Sequence, residues 1–320
     1  MLHTDTFAGH VKLRHLKIVM AVAQSGSMAK AADSLAISHS VISKAIAELE
    51  QTLGVRLFDR GSQGVKPTMY GRALVQCGVA VFDELRQGVK QVEFLADPTV
   101  GQLHIGCSEP MAAGLVPAIS ERFLRQYRGV ALHAVHADTA TLQYRELRER
   151  DVELLLGRIR IPFAEEDLSA ETLFDEQMLV AAGMRSPWGR RRRIELGELI
   201  NEPWVLAPFE SLPGQLYEET FRMSGLAVPR ASVVTLSIHL LSTMVATGRF
   251  IGLLPGSLLR LAASRLSLRV LPVELPSLPR PVGIVTVKNR TLSPFAERFI
   301  ECARQVTKSL AAPGRRLRLR

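Results

Sequence analysis

Cysteine is scarce in this chain of 320 residues: Cys77, Cys107 and Cys302 are the whole supply. An odd, widely spaced set excludes a disulfide framework and a cysteine zinc site, and fits reduced thiols in the cytoplasm. Long apolar runs are missing as well. Nothing approaches the ~20 residues that cross a bilayer, and the opening MLHTDTFAGHVKLRHL has no apolar signal core, so neither a membrane nor export is expected. There is no glycine-rich phosphate loop, nucleophile elbow or HExxH, hence no cofactor and no catalytic constellation. His133 and His136 are three apart in a predicted strand, where they face opposite ways and share no metal ion.

What is present is a balanced globular composition, 47% hydrophobic and 22% charged, with a net charge of +9. The excess favours a polyanionic partner without identifying one. Part of it lies in Arg190 to Arg193 and in the tail residues Arg315, Arg316, Arg318 and Arg320, runs whose simplest reading is solvated surface. Local arrangement has to decide.

The stretch SLAISHSVISKAIAELEQTLGVRLFDR, Ser34 to Arg60, does so. Ser38 is suited to cap a helix, and Ile37 and Ile42 are placed as a hydrophobic staple. Ile42, Ala45, Ile46, Leu49 and Leu53 repeat at helical spacing, and Gly54 ends the run. Upstream, Ser27 caps an alanine-rich helix, Met28 to Leu35, and Leu13 to Gln24 supplies a third. Downstream, Arg56-Leu57-Phe58 and Val65-Lys66 flank Gly61-Ser62-Gln63-Gly64 as a two-stranded wing. A plain three-helix packing unit is the competing reading. However, the first turn presents His39, Ser40, Ser43 and Lys44, and short polar groups there fit base edges in a major groove. Lys44, Arg56, Arg60 and Lys66 are placed to hold phosphates, and Ser27 and Ser38 at the helix starts complete the DNA-facing set.

Leu13 to Gly71 resembles the winged helix-turn-helix of LysR-type transcriptional regulators. The resemblance rests on LKIVMAVAQSGSMAKAADSLAISHSVISKAIAELEQTLGVRLFDR followed by GVKPTMYGR. Pro67 replaces a common leucine, and Met69-Tyr70 replaces Glu-Ala, both outside the recognition helix. From Tyr70 to Ala96, Val75, Gly78, Phe82, Leu85, Val89 and Val92 alternate spacings of three and four, about three heptads in a helix of ~40 Å. The resemblance implies that this helix pairs with its mate, giving a homo-oligomer (a dimer or a tetramer), with Gly78 a weak point of the seam; a helix packed on its own domain is the competing reading. Asp97-Pro98 ends it.

Beyond Pro98, strands alternate with helices. Strands are expected at Leu103–Ile105, Val130–Val135, Val152–Leu156, Met178–Val180, Trp204–Leu206, Val233–Thr235, Phe250–Leu254 and Arg280–Val287. Helices are expected at Met111–Tyr127, Thr139–Glu149 and Ser293–Leu310. The order implies mainly parallel sheet covered on both faces. GQLHIG, RDVELLLGR and ATGRFIGLLP resemble the LysR effector domain, itself similar to periplasmic binding proteins. The fold class is therefore α/β, with a winged helix-turn-helix at 1–70, a linker helix at 71–98 and a two-lobed effector domain at 99–320. Lobe I takes about 99–160 and 280–312, lobe II about 168–271.

A ligand in such a domain belongs between the lobes, at strand-to-helix turns. The candidates are Ser108 and Glu109 after Cys107, then Phe209, Glu210 and Ser211 after Pro208, with Arg158 and Arg160 as crossing-strand residues. Ser108 at a helix start suits a carboxylate-bearing effector, or one with hydroxyl or amino groups if Glu109 takes the dipole; alternatively Ser108 is only a cap. Cys107 reads as a buried hydrophobe rather than a redox sensor. The expected function is a DNA-binding transcriptional regulator modulated by a small-molecule effector. The rivals are an α/β enzyme with an appended DNA-binding module and a constitutive architectural DNA binder.

Overall fold

The structure, a computed structural model, describes residues 11–61, 64–136, 144–276 and 280–311. By its contacts the chain divides into two units, Met1–Val89 and Lys90–Arg320.

The first unit holds α1 (Leu13–Ser25), α2 (Met28–Leu35), α3 (His39–Leu53), an antiparallel pair β1 (Phe58–Gly61) and β2 (Gly64–Pro67), and most of α4 (Met69–Ala96). Local chemistry sets the ends. Ser27 Oγ accepts the Lys30 N–H, Ser38 Oγ accepts the Val41 N–H, and Gly26 and Gly54 close α1 and α3 in the left-handed conformation. Ala31 and Ala32 are buried with Leu16, Val19, Ile42, Ile46 and Leu49. Ile37, expected to staple against Ile42, is instead exposed while Ile42 is fully buried. The wing-tip residues Ser62 and Gln63 lie outside the described residues.

Two side chains fix the wing to the helices. The Glu50 carboxylate on α3 accepts the N–H groups of Leu57 (2.7 Å) and Phe58 (3.2 Å). Thr68 Oγ1 donates to the Arg56 carbonyl (2.7 Å) and accepts the Gly71 N–H (3.1 Å), capping α4. The heptad stripe of α4 divides. Val75 and Phe82 pack on the first unit's own core, and a Cβ on Gly78 would lie 2.7 Å from Met20 Sδ. Gly78 is thus a close-approach position within the chain, not a flaw in a seam between copies. Leu85, Val89, Val92 and Leu95 are left exposed.

Among the described residues, the second unit has two five-stranded sheets. The first runs β4 (Gly129–His136), β3 (Val100–Cys107), β5 (Leu154–Arg158), β12 (Arg280–Val287), β6 (Leu168–Glu176). The second runs β11 (Leu268–Val270), β7 (Met178–Gly183), β10 (Ile251–Pro255), β8 (Trp204–Leu206), β9 (Ala231–Val234). Around the first lie α5 (Glu109–Ala113), α6 (Leu115–Gln126), α7 (Arg145–Arg148) and α11 (Pro294–Ala311). Around the second lie α8 (Leu212–Met223), α9 (Ile238–Ala246) and α10 (Gly256–Ala262). Both sheets are mixed: β3 is parallel to β4 and β5 but β12 is antiparallel to its neighbours, and β10 is parallel to β8 but antiparallel to β7.

Four expectations need correction. Leu168–Glu176 belongs to the first sheet, paired along β12, and not to lobe II. The first crossing between sheets therefore falls at Glu176–Met178, and the chain returns to the first sheet between β11 and β12. Arg158 ends β5 and Arg160 lies beyond it at the surface, so neither is on a crossing strand. The helix expected at Met111–Tyr127 breaks at Gly114, where a Cβ would lie 3.0 Å from the Leu258 Cα. Of the helix expected at Thr139–Glu149, Arg145–Arg148 is present, and 139–143 lie outside the described residues.

The glycines give a ranked test. A Cβ at Gly71 would lie 2.1 Å from the Leu57 carbonyl oxygen, a backbone atom tied to Thr68. Gly71→Ala should lower stability by about 1–3 kcal/mol or more, as overpacking does. Gly78→Ala meets a flexible thioether and gains about 1 kcal/mol of helix propensity, so it should cost clearly less. Urea denaturation of the full chain checks the order.

Candidate nucleic-acid interface and effector cleft

The first turn of α3 is open. Ser38, His39 and Ser40 are exposed, and the Ser38 and Ser40 hydroxyls lie 2.8 Å apart. Ser38 also serves as the cap, so Ser40 is the freer of the two. Val41, which the sequence reading passed over, is 48% exposed on the same turn and offers methyl groups beside those hydroxyls. Ser43 differs: it is half-buried, with Oγ 3.7 Å from Met28 Sδ, and so turns toward α2. Lys44 is exposed, with a 3.9 Å pair to Glu48. Arg56, Arg60 and Lys66 are exposed on or beside the wing, while Ser27 is half-buried in its capping role. Short polar groups and methyls at a helix start, flanked by cations, make a face suited to base edges and phosphates.

In the second unit, β3 delivers Ser108 and Glu109 to the start of α5. The Ser108 hydroxyl makes no capping bond and is not hydrogen-bonded among the described residues. Glu109 reaches into lobe II, where its Oε1 accepts the Ile238 N–H at 2.7 Å, at the first turn of α9 that Ser237 also caps. Glu176, 3% exposed, makes a second link: it accepts the N–H groups of Ser257 (3.0 Å) and Gln177 (3.2 Å) and the Ser257 hydroxyl. Two helices of lobe II thus begin on carboxylates supplied by lobe I. Neither Glu176 nor Ser257 carried a local sequence signal. Ser237 did, as a serine directly before an apolar run.

Ser211 Oγ accepts the Gly214 N–H and donates to the Pro208 carbonyl, so it caps α8. Phe209, Glu210 and Arg160 are exposed. Arg158 borders a small cavity with Glu176, Met178, Glu219 and Arg280, its guanidinium 3.1 Å from Met178 Sδ. Burial lowers its basicity while the nearby Glu176 opposes that shift. At about 10 Å³ the cavity has room for about one water molecule, not an effector. Cys107 is buried in the core of the first sheet, and burial pushes its thiol up to about 11.

Comparison with known proteins agrees with this fold. The family model "Bacterial regulatory helix-turn-helix protein, lysR family" matches residues 13–72, and "LysR substrate binding domain" matches residues 96–308. The chain belongs to the LysR family of transcriptional regulators. It is 28% identical over 292 residues to the transcriptional dual regulator GltC of Bacillus subtilis, covering 91% of this chain and 96% of that protein. Over 305 residues it is 25% identical to the uncharacterized HTH-type transcriptional regulator YdcI of Escherichia coli, covering 95% and 99%. Among solved structures, full-length BenM aligns with a TM-score of 0.51 at 25% identity, covering 95% of this chain and all of that one; the BenM sequence is from Acinetobacter baylyi.

The buried thiol yields a simple check. With Cys107 pushed to about 11, its thiolate fraction at pH 8 is about one in a thousand. Iodoacetamide at pH 8 should leave Cys107 unmodified in the native chain and modify it after unfolding, as read by peptide mass spectrometry. Labelling in the native state would return Cys107 to a sensor role.

Proposed function

We propose that α3 and the wing bind duplex DNA, and that an effector held between the lobes governs what the bound protein does. The exposed first turn of α3, carrying His39, Ser40 and Val41 beside Arg56, Arg60 and Lys66, is the observation that carries the DNA reading. The exposed Leu85, Val89 and Val92 stripe supports pairing with a second copy. A DNA-binding role puts the site of action in the cytoplasm. No helix among the described residues is long and apolar enough to cross a membrane.

The effector site centres on Ser108 and Glu109. The α9 dipole is occupied by the Glu109 carboxylate, so a carboxylate-bearing effector would have to displace it. The free Ser108 hydroxyl and the second Glu109 oxygen instead suit an effector with hydroxyl or amino groups. Phe209, Glu210 and Arg160 are exposed, Arg158 borders the small cavity beside Glu176, and the Ser211 hydroxyl is already used. Control follows as a population shift: the effector must favour one arrangement of the lobes over another.

Genome-wide mapping of bound sites supplies the operator for the test. Ser40→Ala should then cost about 1–3 kcal/mol at the operator and spare random DNA. Ser43→Ala should cost less, since its hydroxyl faces Met28. Equal losses on both DNAs would reject Ser40 as a base reader. For the effector, Ser108→Ala should keep the melting temperature and operator affinity yet lose the effector-dependent change in transcription. A normal response in that variant removes Ser108 from the site.

A further inference from the structure

Lobe II collects arginine at the end remote from the cleft. The C-terminal end of β10 meets lobe I, since the Gly256 N–H donates to the Gln177 carbonyl and Ser257 binds Glu176. The N-terminal end of β10 and the C-terminal end of β7 therefore lie at the other end, where Ile251 is opposite Ala182 and Leu268 opposite Gly183. Three chain segments emerge there and are tied together. The Met184 N–H donates to the Ser267 carbonyl (3.2 Å), Arg269 donates to the Gly189 carbonyl (2.7 Å), and a Cβ on Gly248 would lie 3.5 Å from the Arg185 Cβ. Together they bring Arg185, Arg190, Arg249, Arg265 and Arg269 to one end, with no lysine among them, and Arg191–Arg193 lead from it along the β11 edge of the sheet to Ile194, which pairs with Val273.

Some of this charge is spent. Arg191 pairs with Glu198 and lies over the Trp188 ring, and Arg193 pairs with Glu195. Arg185, Arg190, Arg192, Arg249 and Arg265 are exposed and have no acidic partner among the described residues. Gathering unpaired cations of one sign is unfavourable until an anion answers them. Arginine forks match phosphate oxygens two at a time. A protein interface would need an apolar centre, and in these segments Met184 is the single large apolar side chain left exposed among the described residues.

We propose that this arginine end is a second, sequence-independent contact surface for the phosphates of duplex DNA, additional to the face made by α3 and the wing. The full chain would be titrated with a labelled 60-base-pair duplex of mixed sequence at several salt concentrations. Removing one phosphate contact lowers the slope of log K against log salt by about 0.9. Replacing Arg185, Arg190 and Arg249 together by alanine should lower the slope by about two or more, and replacing all three by lysine should retain it. A matched triple, Arg128, Arg298 and Lys308 to alanine on lobe I, should leave it unchanged. A smaller fall, an equal fall in the matched triple, or a fall in the lysine variant overturns the proposal. Failure of the wild-type chain to bind DNA at all would count against both surfaces, whereas binding whose slope the arginine triple leaves unchanged counts against this one alone, so the two readings stay separable.

Discussion

The carboxylate of Glu176 carries the constraint on which the two-lobed unit depends. It stands where β6 hands the chain to the second sheet, and it is almost wholly buried. A buried carboxylate is costly unless its oxygens are answered. Here they are answered by two backbone N–H groups and a hydroxyl, of which Ser257 supplies two from the start of α10. The same bonds satisfy N–H groups that a helix start leaves without partners. One side chain therefore solves a desolvation problem in lobe I and a capping problem in lobe II, and neither lobe can move freely at this point without reopening both.

The DNA-binding unit uses the same device on a smaller scale. Glu50 sits two turns along α3 from the exposed reading turn and accepts two N–H groups at the entry to β1. Thr68 does the complementary work at the exit of β2, where the Gly71 close approach leaves no slack. The wing cations Arg56, Arg60 and Lys66 are thereby held at a fixed offset from Ser40 and Val41. A reading head that positions phosphate contacts relative to base contacts needs such rigidity.

Much of this was legible in the sequence wherever the cause was local. Met28–Leu35, Trp204–Leu206 and Arg280–Val287 have the ends expected of them, the first because Ser27 is a cap at its start. Features with distant causes were not legible. β6 owes its sheet to β12, more than a hundred positions downstream, and the break at Gly114 owes its position to Leu258. The α4 stripe misled in a different way. Periodicity shows that a face is apolar but not whose core it joins, so Gly78 and Phe82 serve the chain's own helices while Leu85 and Val89 do not. At the candidate site the sequence located Ser108 and Glu109, yet nothing local to Glu109 reveals that its acceptor role is played out at Ile238.

Glu109 and Glu176 divide the labour that an effector-governed regulator requires. Both hold a lobe II helix start to lobe I, but Glu176 is buried within a set of three bonds and Glu109 is half-buried with one. A hydrogen bond to a charged group contributes about 1.5–3 kcal/mol, and typical coupling between an effector and a distant function is about 1–3 kcal/mol. Exchanging the single Glu109 bond for bonds to a ligand is thus of the right size to tip the lobes. Undoing the Glu176 set would cost considerably more and would strip a buried charge of its partners. The link between lobes at Glu176 is thus held more firmly than the one at Glu109, beside which the Ser108 hydroxyl makes no hydrogen bond among the described residues; on the effector reading proposed above, the first would serve as the pivot and the second as the catch.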